Sequence, residues 1–252
     1  MTNHLTTCQR EYAMLVDTNK IIEDTKTAFF SNDIQKEKYA SISEFVSETD
    51  YKSLHTKPLV PLDIKIDVDL FLSQVVEYQR YFQQWGKQHT ELPRQGLALV
   101  NQYGHLQDND PINGSLYEWN VNNPNSPLLE TDCLRPTEVL WMSSMDPLRV
   151  FKGHWCRSNI LLWDKGAEFK PHIDTLLPSP WLRLWGTTSN TIKLRFAHGN
   201  ELVEHEDIEP GRIYLIDTSI VHDAYCNDEP GLQFFLSVLP SAYKIIKDLS
   251  KS

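Results

Sequence analysis

The stretch "EFKPHIDTLLPSPWLRLWGTT" (168–188) carries His172 and Asp174 one residue apart, and "EPGRIYLIDTSIVHDAYC" (209–226) carries a second histidine, His222, after a Pro-Gly turn and an apolar run. On a strand, residues i and i+2 face the same side, so an H-x-D triplet presents an imidazole and a carboxylate together. A strand returning across a small barrel would bring His222 beside them. Two histidines and one carboxylate leave the remaining coordination positions open, a donor set that favours non-haem Fe(II) and oxygen chemistry.

Such a centre needs a rigid scaffold. From residue 96 onward the chain shows short apolar runs bounded by Gly, Pro, Asn and Asp: 96–103, 157–164, 181–188, 191–198, 211–217 and 232–239. Short strands separated by turn signals predict a sandwich or barrel rather than βαβ units. Residues 104–136, rich in Asn, Pro and Asp, read as a long excursion between strands. Upstream, 67–88 has its apolar residues at helical spacing, with Asp67 or Asp69 as N-cap. Residues 9–30 also read as helical, whereas 31–66 are polar and irregular, punctuated by Pro58 and Pro61. The expected organisation is a helical flank (1–95) packed on a β core (96–240), with a C-terminal helix and tail (241–252).

Composition bounds the function. The 252 residues are 40% hydrophobic and 11% aromatic, enough for a sizeable core. A net charge of −10 without a dense Lys/Arg run argues against nucleic acid as a partner. Cys8, Cys133, Cys156 and Cys226 form no C-x-x-C pair, which points to reduced thiols rather than a zinc ribbon. The first residues lack the pattern of a signal peptide, and no apolar run approaches the ~20 residues of a membrane span. A soluble, cytoplasmic protein acting on a small molecule or peptide is expected, with its oligomeric state left open. Asn113-Gly114-Ser115 reads as a turn, and 113–120 first as an ordinary loop and second as part of a lid.

Between about 155 and 240 the chain resembles the Fe(II)- and 2-oxoglutarate-dependent oxygenases with a double-stranded β-helix core, and within them the aspartyl/asparaginyl β-hydroxylase branch. The resemblance is carried by "RSNILLWDKGAEFKPHID", "WLRLWGTT", "IKLRF" and "PGRIYLIDTSIVHDAYC". It implies a mainly β, cupin-like jelly roll with flanking helices. His172, Asp174 and His222 would be the iron ligands, with 2-oxoglutarate as cosubstrate and O2 as oxidant. The expected reaction hydroxylates an amino acid or peptidyl side chain, and 2-oxoglutarate leaves as succinate and CO2. A cupin-like metal-binding or regulatory jelly roll without 2-oxoglutarate turnover is the alternative.

The resemblance fails at one point. An arginine usually lies about ten residues beyond the distal histidine to anchor the cosubstrate; Leu232 and Gln233 stand there instead. Arg183 is the first substitute, because its place on 181–188 matches one that contacts the oxo acid in related hydroxylases. Arg195 is the second and Lys193 shares its strand face, while Gln233 would add a hydrogen bond. His154, His198 and His205 are read as solvated or satisfied histidines. Trp155, Trp163, Trp181 and Trp185 are core residues or pocket walls, and 175–180 a loop bordering the iron.

Overall fold

Apolar runs interrupted by turn residues form the strands in this computed structural model, which describes residues 14–30, 32–85 and 94–251. In chain order the strands are β1 (Met14–Leu15), β2 (Leu59–Lys65), β3 (Gln83–Trp85), β4 (Arg94–Asn101), β5 (Arg135–Pro136), β6 (Trp155–Trp163), β7 (Glu168–His172), β8 (Leu182–Thr187), β9 (Ile192–His198), β10 (Glu201–Glu204), β11 (Arg212–Ile216), β12 (His222–Cys226) and β13 (Gly231–Val238). The helices are α1 (Thr18–Ala28), α2 (Asp33–Ala40), α3 (Glu48–Leu54), α4 (Val68–Val75), α5 (Leu116–Asn122) and α6 (Tyr243–Leu249).

Two antiparallel sheets result. The larger runs β2-β11-β8-β13-β6-β4-β3, with β5 paired to β4, and the smaller runs β1-β10-β9-β12-β7. From β6 onward the chain crosses repeatedly between them: β6, β8, β11 and β13 lie in the large sheet, β7, β9, β10 and β12 in the small one. That alternation is the double-stranded β-helix, or jelly roll, and the fold is mainly β with flanking helices.

Burial explains why each sheet takes its composition. β6, β8 and β13 are buried almost throughout, since one face meets the small sheet and the other packs on α4 and the 3-10 segment Ser143–Phe151. The small sheet is half solvated, so β9 alternates apolar-in with polar-out. Between the sheets, Leu161, Trp163 and Trp185 pack against Leu194, Phe196 and Ala224.

The first third departs from the expected helical flank. The stretch 31–66 is not irregular: it holds α2, α3 and β2, and β2 pairs antiparallel with β11. Pro61 is tolerated there because β2 lies at the sheet edge, where a missing N–H breaks no ladder. Asp67 does cap α4, accepting a hydrogen bond from the Leu70 N–H at 3.0 Å, a cap worth about 1 kcal/mol. The α-helix, however, ends at Val75, tightens into a 3-10 turn to Tyr81, and gives way to β3; residues 86–88 lie outside the described ones. The helix expected over 9–30 is α1, capped by Asp17, with β1 ahead of it paired to β10; residues 9–13 and 31 lie outside the described ones.

The 104–136 excursion is folded rather than open. Within it, 113–120 is no ordinary loop: Ser115 caps α5 by accepting hydrogen bonds from the N–H groups of Tyr117 and Glu118. No described helix is long and apolar enough to cross a membrane.

Candidate metal centre

His172 is the last residue of β7 and His222 the first of β12, and the two are cross-strand partners in register. Their ring centroids lie 4.5 Å apart. Asp174 stands two residues beyond the end of β7, so the irregular segment after the strand rather than a shared strand face delivers it. Its N–H and that of Thr175 both donate to the Thr218 carbonyl, which holds that segment against the approach to β12. The three residues are thereby brought together: His172, Asp174 and His222 present ligand atoms that all lie within 4.8 Å of one another.

The imidazoles are oriented for a metal. His172 Nδ1 lies 2.7 Å from the Lys170 carbonyl and His222 Nδ1 lies 3.0 Å from the Ile220 carbonyl. A carbonyl can only accept, so each Nδ1 carries a proton, and in the neutral ring Nε2 is left with the lone pair that a metal would take. His172 Nε2 is buried without a hydrogen-bond partner among the described residues, yet sits 3.2 Å from Asp174 Oδ1; His222 Nε2 is 3.8 Å from Oδ2. Lone pairs facing a carboxylate at such distances repel unless a proton or a metal cation lies between them, and two imidazoles with one carboxylate are a donor set that fits a divalent transition metal. With three protein donors, other positions remain for a chelating ligand and a gas.

Electrostatics favours the metal-ready protonation state. Burial acts to raise the pKa of Asp174, but His172 and His222 in their protonated forms, together with Arg183, outweigh it and hold the carboxyl well below its usual range. Burial, aided by His172, pushes the His222 imidazole down to about 4. The folded state therefore refuses a proton that the unfolded chain accepts near pH 6.5. Metal-free protein is expected to lose stability as pH falls from about 6.5 to 4, by up to about 3 kcal/mol from this residue. Denaturant titrations of wild type and His222→Gln across that window check it: the acid-side loss should shrink in the variant.

A cavity of about 250 Å³ extends from the triad between the sheets, walled by Leu161, Trp163 and Trp185 of the large sheet and Phe169, Leu194 and Ala224 of the small one. A second, more open cavity of about 510 Å³ meets the triad from the α1 side, past Phe29, Phe30, Tyr117 and Trp181. Trp163 and Trp185 are thus pocket walls, whereas Trp155 packs on Phe151. No residue of 175–180 lines either cavity; Ser179 instead bridges to Val46. Leu116 and Tyr117, from the supposed loop, line both. His154, His198 and His205 line neither.

The expected cosubstrate cations are redistributed. Lys193 and Arg195 do not enter the cavity, because the apolar members of β9, Leu194 and Phe196, take the inner face and force the odd positions outward. There Lys193 pairs with Glu204 at 3.4 Å, and Arg195 makes a two-pronged pair with Asp223 at 2.9 and 2.6 Å. Arg183 does line the cavity, but both of its terminal nitrogens bond Glu130 and one also donates to Ser237 Oγ. Burial works against its charge and Glu130 more than restores it, raising its pKa. Gln233 faces the cavity with its Oε1 unpartnered among the described residues.

Sequence reasoning missed Arg94. It opens β4 with its side chain in the cavity, 1% exposed, and none of its three guanidinium nitrogens has a hydrogen-bond partner among the described residues. The available signal was a charged residue at the head of an apolar run, in "PRQGLALV".

Fold and site together define a jelly-roll protein with a His-Asp-His cluster that could hold a metal ion at one end of an inter-sheet cavity. No family model matches the sequence, and no curated protein matches it either. Among solved structures, the chain is similar to a Pseudomonas putida prolyl-4-hydroxylase at 12% identity, covering 76% of this chain and 97% of that one with a TM-score of 0.41. It is also similar to an oxidoreductase of the 2OG-Fe(II) oxygenase family from Burkholderia pseudomallei, at 10% identity over 79% and 96% of the two chains, TM-score 0.42. The Schizosaccharomyces pombe Cnp3 cupin domain matches 40% of this chain and 63% of its own at 6% identity, TM-score 0.27. The chemistry of the site stands on the residues described above.

Proposed function

We propose that this protein is an Fe(II)- and 2-oxoglutarate-dependent dioxygenase that hydroxylates a C–H bond of an amino acid or peptidyl side chain. The observation that carries this reading is the pair of imidazoles locked by backbone carbonyls with both Nε2 atoms turned toward Asp174. When bound, iron with 2-oxoglutarate would supply the oxidant: one atom of O2 would enter the succinate formed as CO2 leaves, and the other would enter the substrate C–H bond as the hydroxyl.

The chain's own part is positional. His172, Asp174 and His222 hold the metal, with Asp174 contributing the negative charge that two neutral imidazoles lack. The narrow apolar cavity between the sheets receives the cosubstrate and excludes water around it. The wider cavity past Phe29, Phe30 and Trp181 receives a small molecule or a peptide side chain.

An anaerobic titration of metal-free protein with Fe(II) and then 2-oxoglutarate tests the reading. A visible charge-transfer band should rise to saturation, vanish in His172→Ala, and give way to succinate when O2 is admitted. Iron binding with neither the band nor succinate would favour the cupin-like metal-binding alternative.

A further inference from the structure

A guanidinium carries five N–H donors and does not lose its charge near neutral pH. Burying one without a partner costs several kcal/mol, so a fold keeps it only where a partner arrives later. Three arginines reach this cavity. Arg183 is spent on Glu130, and Arg157 on the carbonyls of Val100 and Gly114. Arg94 alone among them makes no hydrogen bond to any described residue.

The setting of Arg94 is that of a binding group rather than a stray core cation. Its guanidinium carbon lies 4.9 Å from the Trp163 ring and 4.2 Å from the Phe169 ring. Rings take its faces, while a carboxylate engages the in-plane edges through two parallel hydrogen bonds. The strand register places it well. Gly96, Leu161 and Gln233 lie opposite one another across β4, β6 and β13, and Arg94 precedes Gly96 by two residues on the same face. The cation thus stands two strands from the Gln233 position. Gly96 serves the same cavity, because a Cβ there would lie 2.5 Å from the Trp85 ring that lines it.

We infer that Arg94 is the acid-binding residue of this cavity, holding the distal carboxylate of an oxo diacid whose other end sits at the triad, while Gln233 lines the same cavity from β13. The inference rests on the iron and 2-oxoglutarate reading for the identity of the acid, but not for the existence of the acid site. It moves the anchoring cation to β4, a strand that precedes the eight-strand jelly roll in sequence and lies outside the region of resemblance.

The test compares wild type, Arg94→Met and Arg94→Lys. Anaerobic calorimetry on Fe(II)-loaded protein measures 2-oxoglutarate and 2-oxobutanoate, which share a chelating head but differ in the distal carboxylate. Arg94→Met should weaken 2-oxoglutarate about thirtyfold or more, leave 2-oxobutanoate within about twofold, and be partly rescued by Lys. Ligand-free Arg94→Met should also melt at a higher temperature than wild type, since an unpaired buried charge is gone; a merely structural arginine would give the opposite shift. Equal weakening of both acids, or an unchanged affinity for 2-oxoglutarate, overturns the inference. Metal-free protein with saturating glutarate separates this from the iron reading. Thermal protection of wild type but not of Arg94→Met sustains the acid site even if iron never binds, and its absence in wild type refutes the site even if iron does.

Discussion

Asp174→Ala is expected to strip the protein of iron and of turnover together. In the proposed iron site the carboxylate would be the charged donor, and its loss leaves two imidazoles whose Nε2 atoms no longer face an oxygen. Outer partners of a metal ligand cost about 10–100-fold when removed, so loss of a ligand itself should exceed that range in affinity and leave succinate formation at background. Metal content after dialysis and anaerobic Fe(II) titration read the first effect, and succinate release reads the second. The fold should survive, because the Thr218 carbonyl bonds the backbone of residues 174 and 175, not the deleted side chain. Retention of stoichiometric iron with normal turnover in a folded Asp174→Ala protein would sink the triad.

That cluster was legible because two of its members stand one residue apart and the spacing to the third suits a strand returning across a barrel. What the letters did not contain is the pairing of His222 with His172 opposite one another, or the Nδ1 contacts to Lys170 and Ile220 that fix the tautomers. The large-sheet strands were readable for a similar reason. β6, β8 and β13 are buried on both faces, so they appear as apolar runs within two residues of their true bounds. The small sheet was harder. β7 reads "EFKPH" and β12 reads "HDAYC", short strands whose outer residues are polar, and neither forms an apolar run. β2 was hidden behind two prolines, and only its partner β11 makes it a strand.

The cosubstrate cations show where one-dimensional reasoning ends. That Lys193 and Arg195 share a face follows from strand periodicity; which face does not, and the claim of Leu194 and Phe196 on the interior decides it. Arg183, the first substitute expected from the sequence, does line the cavity, but the carboxylate that neutralises it comes from Glu130, far away in the chain on the 3-10 turn Glu130–Asp132. Arg94 sits in the opposite case, a cation whose partner is not part of the chain's described fold at all.

The Glu130–Arg183 pair therefore separates structural charge from binding charge. Glu130→Ala leaves Arg183 buried at 3% exposure with Ser237 Oγ as its remaining side-chain hydrogen-bond partner. Breaking one side of a buried pair costs about 3–5 kcal/mol, which for a chain of this size lowers Tm by on the order of 10 °C. Replacing both members, as Glu130→Met with Arg183→Met, removes the unpaired charge and should recover most of that loss. Calorimetric melting of the two variants reads the difference, and equal destabilisation by both would mean that packing rather than charge is at stake. The same variants bear on the acid site. If Arg183 held the cosubstrate, freeing it in Glu130→Ala would tighten 2-oxoglutarate, and Arg183→Met would abolish binding. With Arg94 as the binding cation, the double variant keeps wild-type affinity within a few-fold, because the charge it discards was already neutralised within the protein.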